Sequence, residues 1–152
     1  MSAETVMAAL QAVLPAGTPV QQTVIETELD LYGGGWPALL LACPRTQGKR
    51  EATGRWAETH EVFVFYFDRW ETSGRTAGQI TADCRAALEQ MKANVLANKM
   101  LTVNAVANAL VAGDEIDTEV LGIAEEFQGK ALPFPMVVGC LRVLVWDLWQ
   151  TK

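Results

Sequence analysis

His60 is the only histidine in the chain, so any nucleophilic chemistry of the serine–histidine or cysteine–histidine kind would have to be built around it. It opens the run "HEVFVFYFDRW" (60–70) beside Glu61, a setting that reads as the exposed end of a strand. The three cysteines, Cys43, Cys84 and Cys140, are isolated in apolar runs. Such surroundings keep a thiol protonated and inert, and their odd number and unpaired spacing read as reduced core thiols of a reducing cytosol. No CxxC or HExxH spacing is present to hold a metal. The acids of "GDEIDTE", Asp114, Glu115, Asp117 and Glu119, miss the pattern of the calcium loop, which needs a central glycine and a terminal bidentate acid. They read as a solvated acidic loop. "YGGGWP" (32–37) lacks the GxxxxGK[ST] and GxGxxG spacings of phosphate-binding turns, and no helix follows it. The expectation is a protein with no catalytic group, no metal and no cofactor.

The elements around these residues are more informative. "SAETVMAALQAVL" predicts a first helix, with Ser2 as cap, Val6, Met7, Leu10, Val13 and Leu14 on one side, and Pro15 and Gly17 as its stop. "VQQTVIETEL" predicts a modest strand marked by Val20, Val24 and Leu29, and "PALLLAC" a short buried strand bounded by Pro37 and Pro44. Residues 44–58, "PRTQGKREATGRWAE", read as a long polar hairpin loop, and loops of about 15 residues in compact domains are usually functional or disordered. Arg45, Lys49, Arg50 and Arg55 make it the one basic patch of the chain. With Trp56 it is a candidate partner-binding loop; a solvated hairpin tip is the alternative.

The run at 60–70 does not alternate apolar with polar. Val62, Val64 and Tyr66 point one way, Phe63, Phe65 and Phe67 the other, so both faces ask to be dry. Thr76 and Gln79 then have the capping-box spacing. Ile80, Cys84, Ala87, Leu88, Met91 and Val95 form one stripe of a long helix ending near Asn98. Residues 99–118 are open to a short helix or an extended segment. "TEVLGIAEEFQG" is a strand candidate interrupted by Gly122, and after a Pro-punctuated turn a long strand covers about 136–149, again apolar on both faces. Arg142 stands inside that strand, either snorkelling to an edge or facing a pore or partner carboxylate.

Hairpin-linked strands with helices inserted between them predict a single α+β domain over 1–152: a mostly antiparallel sheet with the long helix and the shorter N-terminal helix on one face. The other face of the 60–70 strand has no cover in that arrangement, and a second subunit is the economical one, because obligate interfaces resemble a core cut in two. Phe63, Phe65, Phe67, Arg142 and Trp146 are the candidate interface. Five tryptophans fit that reading and equally fit core packing. The net charge of −6 argues against nucleic-acid binding, which needs a basic footprint, and against docking on anionic membranes. No basic and apolar leader marks the N-terminus, and no apolar run reaches the ~20 residues of a membrane span.

The element order resembles the tail terminator (tail completion) proteins of long-tailed bacteriophages. The likeness lies in the helix "ETVMAALQAVL", the strand "WPALLLACP", the long hairpin segment, "EVFVFYFDRW" running into "TAGQITADCRAALEQMKANVLA", and the closing "PFPMVVGCLRVLVWDLW"; residues 99–118 lie outside it. It implies a non-enzymatic virion protein of the tail or neck, assembled in the host cytoplasm. Such subunits form a ring, typically a homohexamer, that caps the tail tube, stops its polymerisation and joins it to the head–tail connector. DNA passes through without specific binding. Other neck adaptor or tail-tube-like ring subunits share much of this order. A cytosolic α+β dimer holding a small molecule is the remaining reading; only Arg142, Tyr66 and His60 offer it polar groups.

Overall fold

The computed structural model describes residues 3–26, 35–52, 55–70, 74–103, 106–111 and 116–150; side chains at 49–57, 100, 102–111 and 147–150 are not among those described. The chain is an α+β fold. Its elements are α1 (Ala3–Val13), β1 (Gln22–Ile25), β2 (Ala38–Ala52), β3 (Arg55–Arg69), α2 (Ala77–Ala97), β4 (Met100–Val103), β5 (Val106–Val111), β6 (Asp117–Phe127) and β7 (Lys130–Gln150). The strands form one sheet in the order β1-β2-β3-β7-β5-β4, with β6 also paired to β7. All pairs are antiparallel except β1–β2. One edge of β7 is filled by β3 from Met136 to Gln150. Its other edge is shared: β6 takes Lys130 to Arg142 and β5 takes Val145 to Asp147.

Local chemistry starts α2. Thr76 Oγ1 accepts from the Gln79 N–H at 3.2 Å, and Gln79 Oε1 accepts from the Thr76 N–H at 2.8 Å, so two donors with no partner inside the helix are satisfied. The stripe expected from spacing, Ile80 through Val95, is buried. So are Val6, Met7, Leu10 and Leu14 of the first helix and its exit. Both helices lie on one face of the sheet, over Leu39, Leu41, Val62, Val64, Tyr66, Val137, Leu141, Val143 and Val145. Gly139 sits in this face where α2 comes closest: a Cβ there would lie 2.6 Å from Cys84 Sγ and 2.9 Å from Leu88 Cδ1. Asn94 ties the helices together, its Nδ2 donating to the carbonyls of Leu14 at 2.8 Å and Ala16 at 2.7 Å.

The opposite face is covered over part of its length by the chain itself, which corrects the expectation of no internal cover. The β6–β7 hairpin turns on Gln128 and Gly129, both at positive φ. Register shifts at Val120/Gly122 and Ala124/Glu126 bend it, Gly122 taking a φ of +93° that a side chain would strain. The bent tip brings Phe127 edge-on to Phe65 at 5.0 Å and to Phe67 at 4.8 Å. Phe134 meets Trp36 at 5.8 Å, and the Arg69 guanidinium lies 3.9 Å over the Phe134 ring. Phe67, Phe134, Met136 and Val138 are thereby buried as a second, smaller core.

Three further expectations change. Residues 44–58 are not a long loop: β2 and β3 stay paired from Ala38↔Phe67 to Ala52↔Arg55. Backbone pairing, invisible to a hydropathy pattern, holds the arm, and a strand wet on both faces has no apolar alternation to betray it. Pro44 does not end β2. It falls in the register shift between Ala42 and Arg45, where a missing N–H costs no ladder bond. β7 starts at Lys130, ahead of the expected 136; of the two alternatives open for residues 99–118, Met100–Val103 and Val106–Val111 take the extended one, pairing as β4 and β5. Ser2, Leu29 and the first half of "YGGGWP" (32–34) lie outside the described residues.

Candidate functional site

Alternation along β3 and β7 carries five expected residues to one face. Phe63, Phe65 and Phe67 on β3 stand with Arg142 and Trp146 on β7, the face away from the helices. Coverage is graded along it. Phe67 is 1% exposed under the folded-over hairpin, whereas Trp146 at the far end is 59% exposed. Between them Phe63, Cys140, Arg142 and Leu144 are half-buried, with the Phe63 and Phe65 rings stacked at 6.2 Å and 14°. Phe67 therefore belongs to the chain's own core and is not available to a partner.

Arg142 is paired within the chain. Its Nη2 and Nε donate to Glu61 Oε2 at 2.8 and 3.2 Å, and its Nη1 donates to Asp117 Oδ2 at 3.2 Å. The Glu61 hydrogen bonds raise the guanidinium pKa, with Asp117 adding to the effect. Phe63 and Asp117 are its direct neighbours on β3 and β6, and Glu61 is the cross-strand neighbour of Arg45 on β2. Arg45, Glu61, Arg142 and Asp117 thus form a row of alternating charge across four strands.

The basic segment is the distal part of the β2–β3 arm. Pro44 through Gly48 are exposed without alternation, so this stretch stands clear of the helices. Arg45 is on its exposed surface. Lys49, Arg50, Arg55 and Trp56 sit on the paired strands near the turn, with side chains outside those described.

His60 corrects the expectation of an exposed strand end. It lies within β3, 1% exposed, its Nδ1 3.0 Å from Thr46 Oγ1 and its Nε2 3.6 Å from Glu58 Oε2. It points to the same side of β3 as Tyr66, but six residues along the strand, and Arg142 is on the opposite face. The three polar groups of a small-molecule reading are not brought together. A cleft of about 570 Å³ does exist between α2 and the sheet. It is lined by Tyr66, whose phenol burial pushes well above its usual pKa, and by Asp68, Arg75 and Asp83. Arg75 bridges the two carboxylates at 2.7 Å each. Burial opposes its charge, and the bonds from Asp83 and Asp68 outweigh that and raise its pKa. Sequence reading missed this bridge, whose only signal was a buried-strand aspartate followed by Arg75 just before a helix cap.

The cysteines carry no reactive pair. Burial pushes the Cys84 thiol up to about 12 and the Cys140 thiol up to about 11, and burial also raises Cys43. A raised pKa means less thiolate at a given pH, partly offset by the greater nucleophilicity of that thiolate, so at pH 8 Cys84 and Cys140 should react with a thiol reagent about tenfold or more slower than free cysteine. In denaturant all three should react at the free rate. Fast labelling of Cys84 in the folded protein would contradict its packing against Gly139.

Among the described residues no group of three or more histidine, cysteine or acidic side chains is placed to hold a metal. Asp114 and Glu115 lie outside the described residues, while Asp117 and Glu119 are exposed on β6. No described helix is long and apolar enough to cross a membrane. Comparison with protein-family models gives no match to this chain, and comparison with curated proteins gives none.

Proposed function

We propose that this protein is a structural ring subunit of the tail-terminator type, capping the tail tube of a long-tailed phage and meeting the head–tail connector, without turnover. One observation carries the reading. The helix-free face is left open at one end, with Trp146 59% exposed, and the paired arm of β2 and β3 extends beside that same end, Thr59 opposing Trp146. Large aromatic side chains concentrate binding energy when desolvated at an interface, and a paired strand arm presents its basic residues at little entropic cost. The open end is the surface covered on assembly, and the arm reaches an acidic surface of the tube.

Light scattering after size separation tests the ring: the expected mass is sixfold, or a monomer that reaches it on concentration. A stable dimer would overturn the ring. Charge reversal at Lys49 and Arg50 is expected to abolish capping of assembled tubes while leaving the circular dichroism spectrum unchanged. Full capping by that variant would reduce the arm to a solvated tip.

A further inference from the structure

Tyr66 and Asp68 occupy successive positions on the helix side of β3, and both are buried, at 0% and 4% exposed. Their polar atoms are not all used. Arg75 Nη2 donates to Asp68 Oδ2, and Arg75 Nη1 donates to Asp83 Oδ2. Asp68 Oδ1 and Tyr66 Oη have no hydrogen-bond partner among the described residues. Both side chains line the cleft of about 570 Å³ between α2 and the sheet, so these two oxygens open into it rather than being sealed in the core. A buried polar group without a partner costs free energy, and a cleft is where the partner enters.

The chemistry of the cleft selects that partner. Asp68 and Asp83 share the single guanidinium of Arg75, which leaves the described lining with a net negative charge. Both free oxygens accept hydrogen bonds. Burial, and then the Asp68 charge, keep the Tyr66 phenol protonated, so it supplies no further anion. An anionic ligand would be repelled, and among the described residues no third ligand joins the two carboxylates to hold a metal. Trp36, Pro37, Pro19, Ala86 and Ala87 form an apolar wall. The volume lies within the range of small-molecule sites.

We propose that this cleft binds a small organic cation, an ammonium or guanidinium group on a short apolar body. Its N–H groups donate to Asp68 Oδ1 and Tyr66 Oη, and its body lies against Trp36 and Ala87. A charged donor meeting desolvated acceptors makes the stronger kind of hydrogen bond. The site is on the helix side of the sheet, whereas the ring reading uses the opposite face. It therefore stands independently of that reading, and its test needs no assembly.

Calorimetric titration of the full chain with benzylamine and benzylguanidine tests the site. One-to-one binding with a dissociation constant of about 1 mM or tighter is expected for at least one of them. Benzyltrimethylammonium keeps the charge and the ring but has no N–H, and is expected to bind about tenfold more weakly or worse. Tyr66→Phe removes only the free hydroxyl and is expected to weaken the bound probe about tenfold. Equal binding of the quaternary ion would reduce the effect to attraction by an acidic protein and overturn the site. So would an unchanged affinity in folded Tyr66→Phe, or no binding of either probe at about 10 mM. If Tyr66→Phe does not fold, Ala86→Trp decides, because it fills the cleft from an exposed position of α2. Probe binding that survives this substitution would overturn the proposal.

Discussion

Replacing Phe67 with alanine should lower the free energy of unfolding by about 3–5 kcal/mol, the range for emptying a buried phenylalanine site. Trp146→Ala, on the same face of the same sheet, should change it by about 0.5 kcal/mol or less and act on association instead, by about 2 kcal/mol or roughly thirtyfold if the ring buries it. The contrast follows from the graded cover. Phe67 is 1% exposed beneath the folded-over hairpin and Trp146 is 59% exposed, although alternation alone treats them as equivalent. Urea unfolding of the dilute protein reads the first effect, and light scattering across a concentration series reads the second. Equal destabilisation by both would mean that Trp146 is covered within the chain.

Gly139→Val should cost about 1–3 kcal/mol through overpacking. Its Cβ would meet Cys84 Sγ at 2.6 Å and Leu88 Cδ1 at 2.9 Å, both on the buried stripe of the most regular helix. The Leu88 methyl can rotate away, but Cys84 is a short side chain fixed by the helix, so α2 must move off the sheet. Cys84→Ala in the same background should restore part of the loss, because it removes the nearer collision. A urea midpoint for Gly139→Val equal to wild type would show that the helix lies farther from β7 than these distances.

Legibility in the sequence followed the range of the signal. The long helix was readable because its capping box and stripe are local: Thr76, Gln79 and the Ile80–Val95 spacing carry the same information in the chain as in the fold. The two dry faces of β3 were readable for the same reason, since alternation places Phe63 and Val64 on opposite sides whatever lies beyond. What dries the second face was not readable. It depends on Phe127 reaching Phe65 and Phe67 across two register shifts, and the only local trace was Gly122 interrupting an otherwise regular strand.

The arm was misread because a strand wet on both faces has the composition of a loop, and "VNAVANAL" stays open between helix and strand because small apolar residues show neither period clearly. His60 was judged by its chain neighbour Glu61, when its environment is set by Thr46 on the adjacent strand. For the candidate surface, residue types at Arg142, Trp146 and the phenylalanines sufficed to group them on one face. The partners of Arg142 were beyond reach, because Glu61 and Asp117 lie 81 and 25 residues away along the chain.

The division of one edge of β7 between β5 and β6 bears on how the chain is made. β3, β5 and β6 all pair with β7, and β7 comes after every one of them in synthesis. During translation the β1–β2–β3 and β4–β5 portions leave the ribosome as separate pieces, each with apolar surface and at least one unpaired edge. Non-local pairing of this kind is slow to form and exposes strand edges while it waits. The sheet cannot be completed before residues 130–150 are made, and until then the acids of β6 and the polar arm of β2 are the strand segments that offer the least apolar surface.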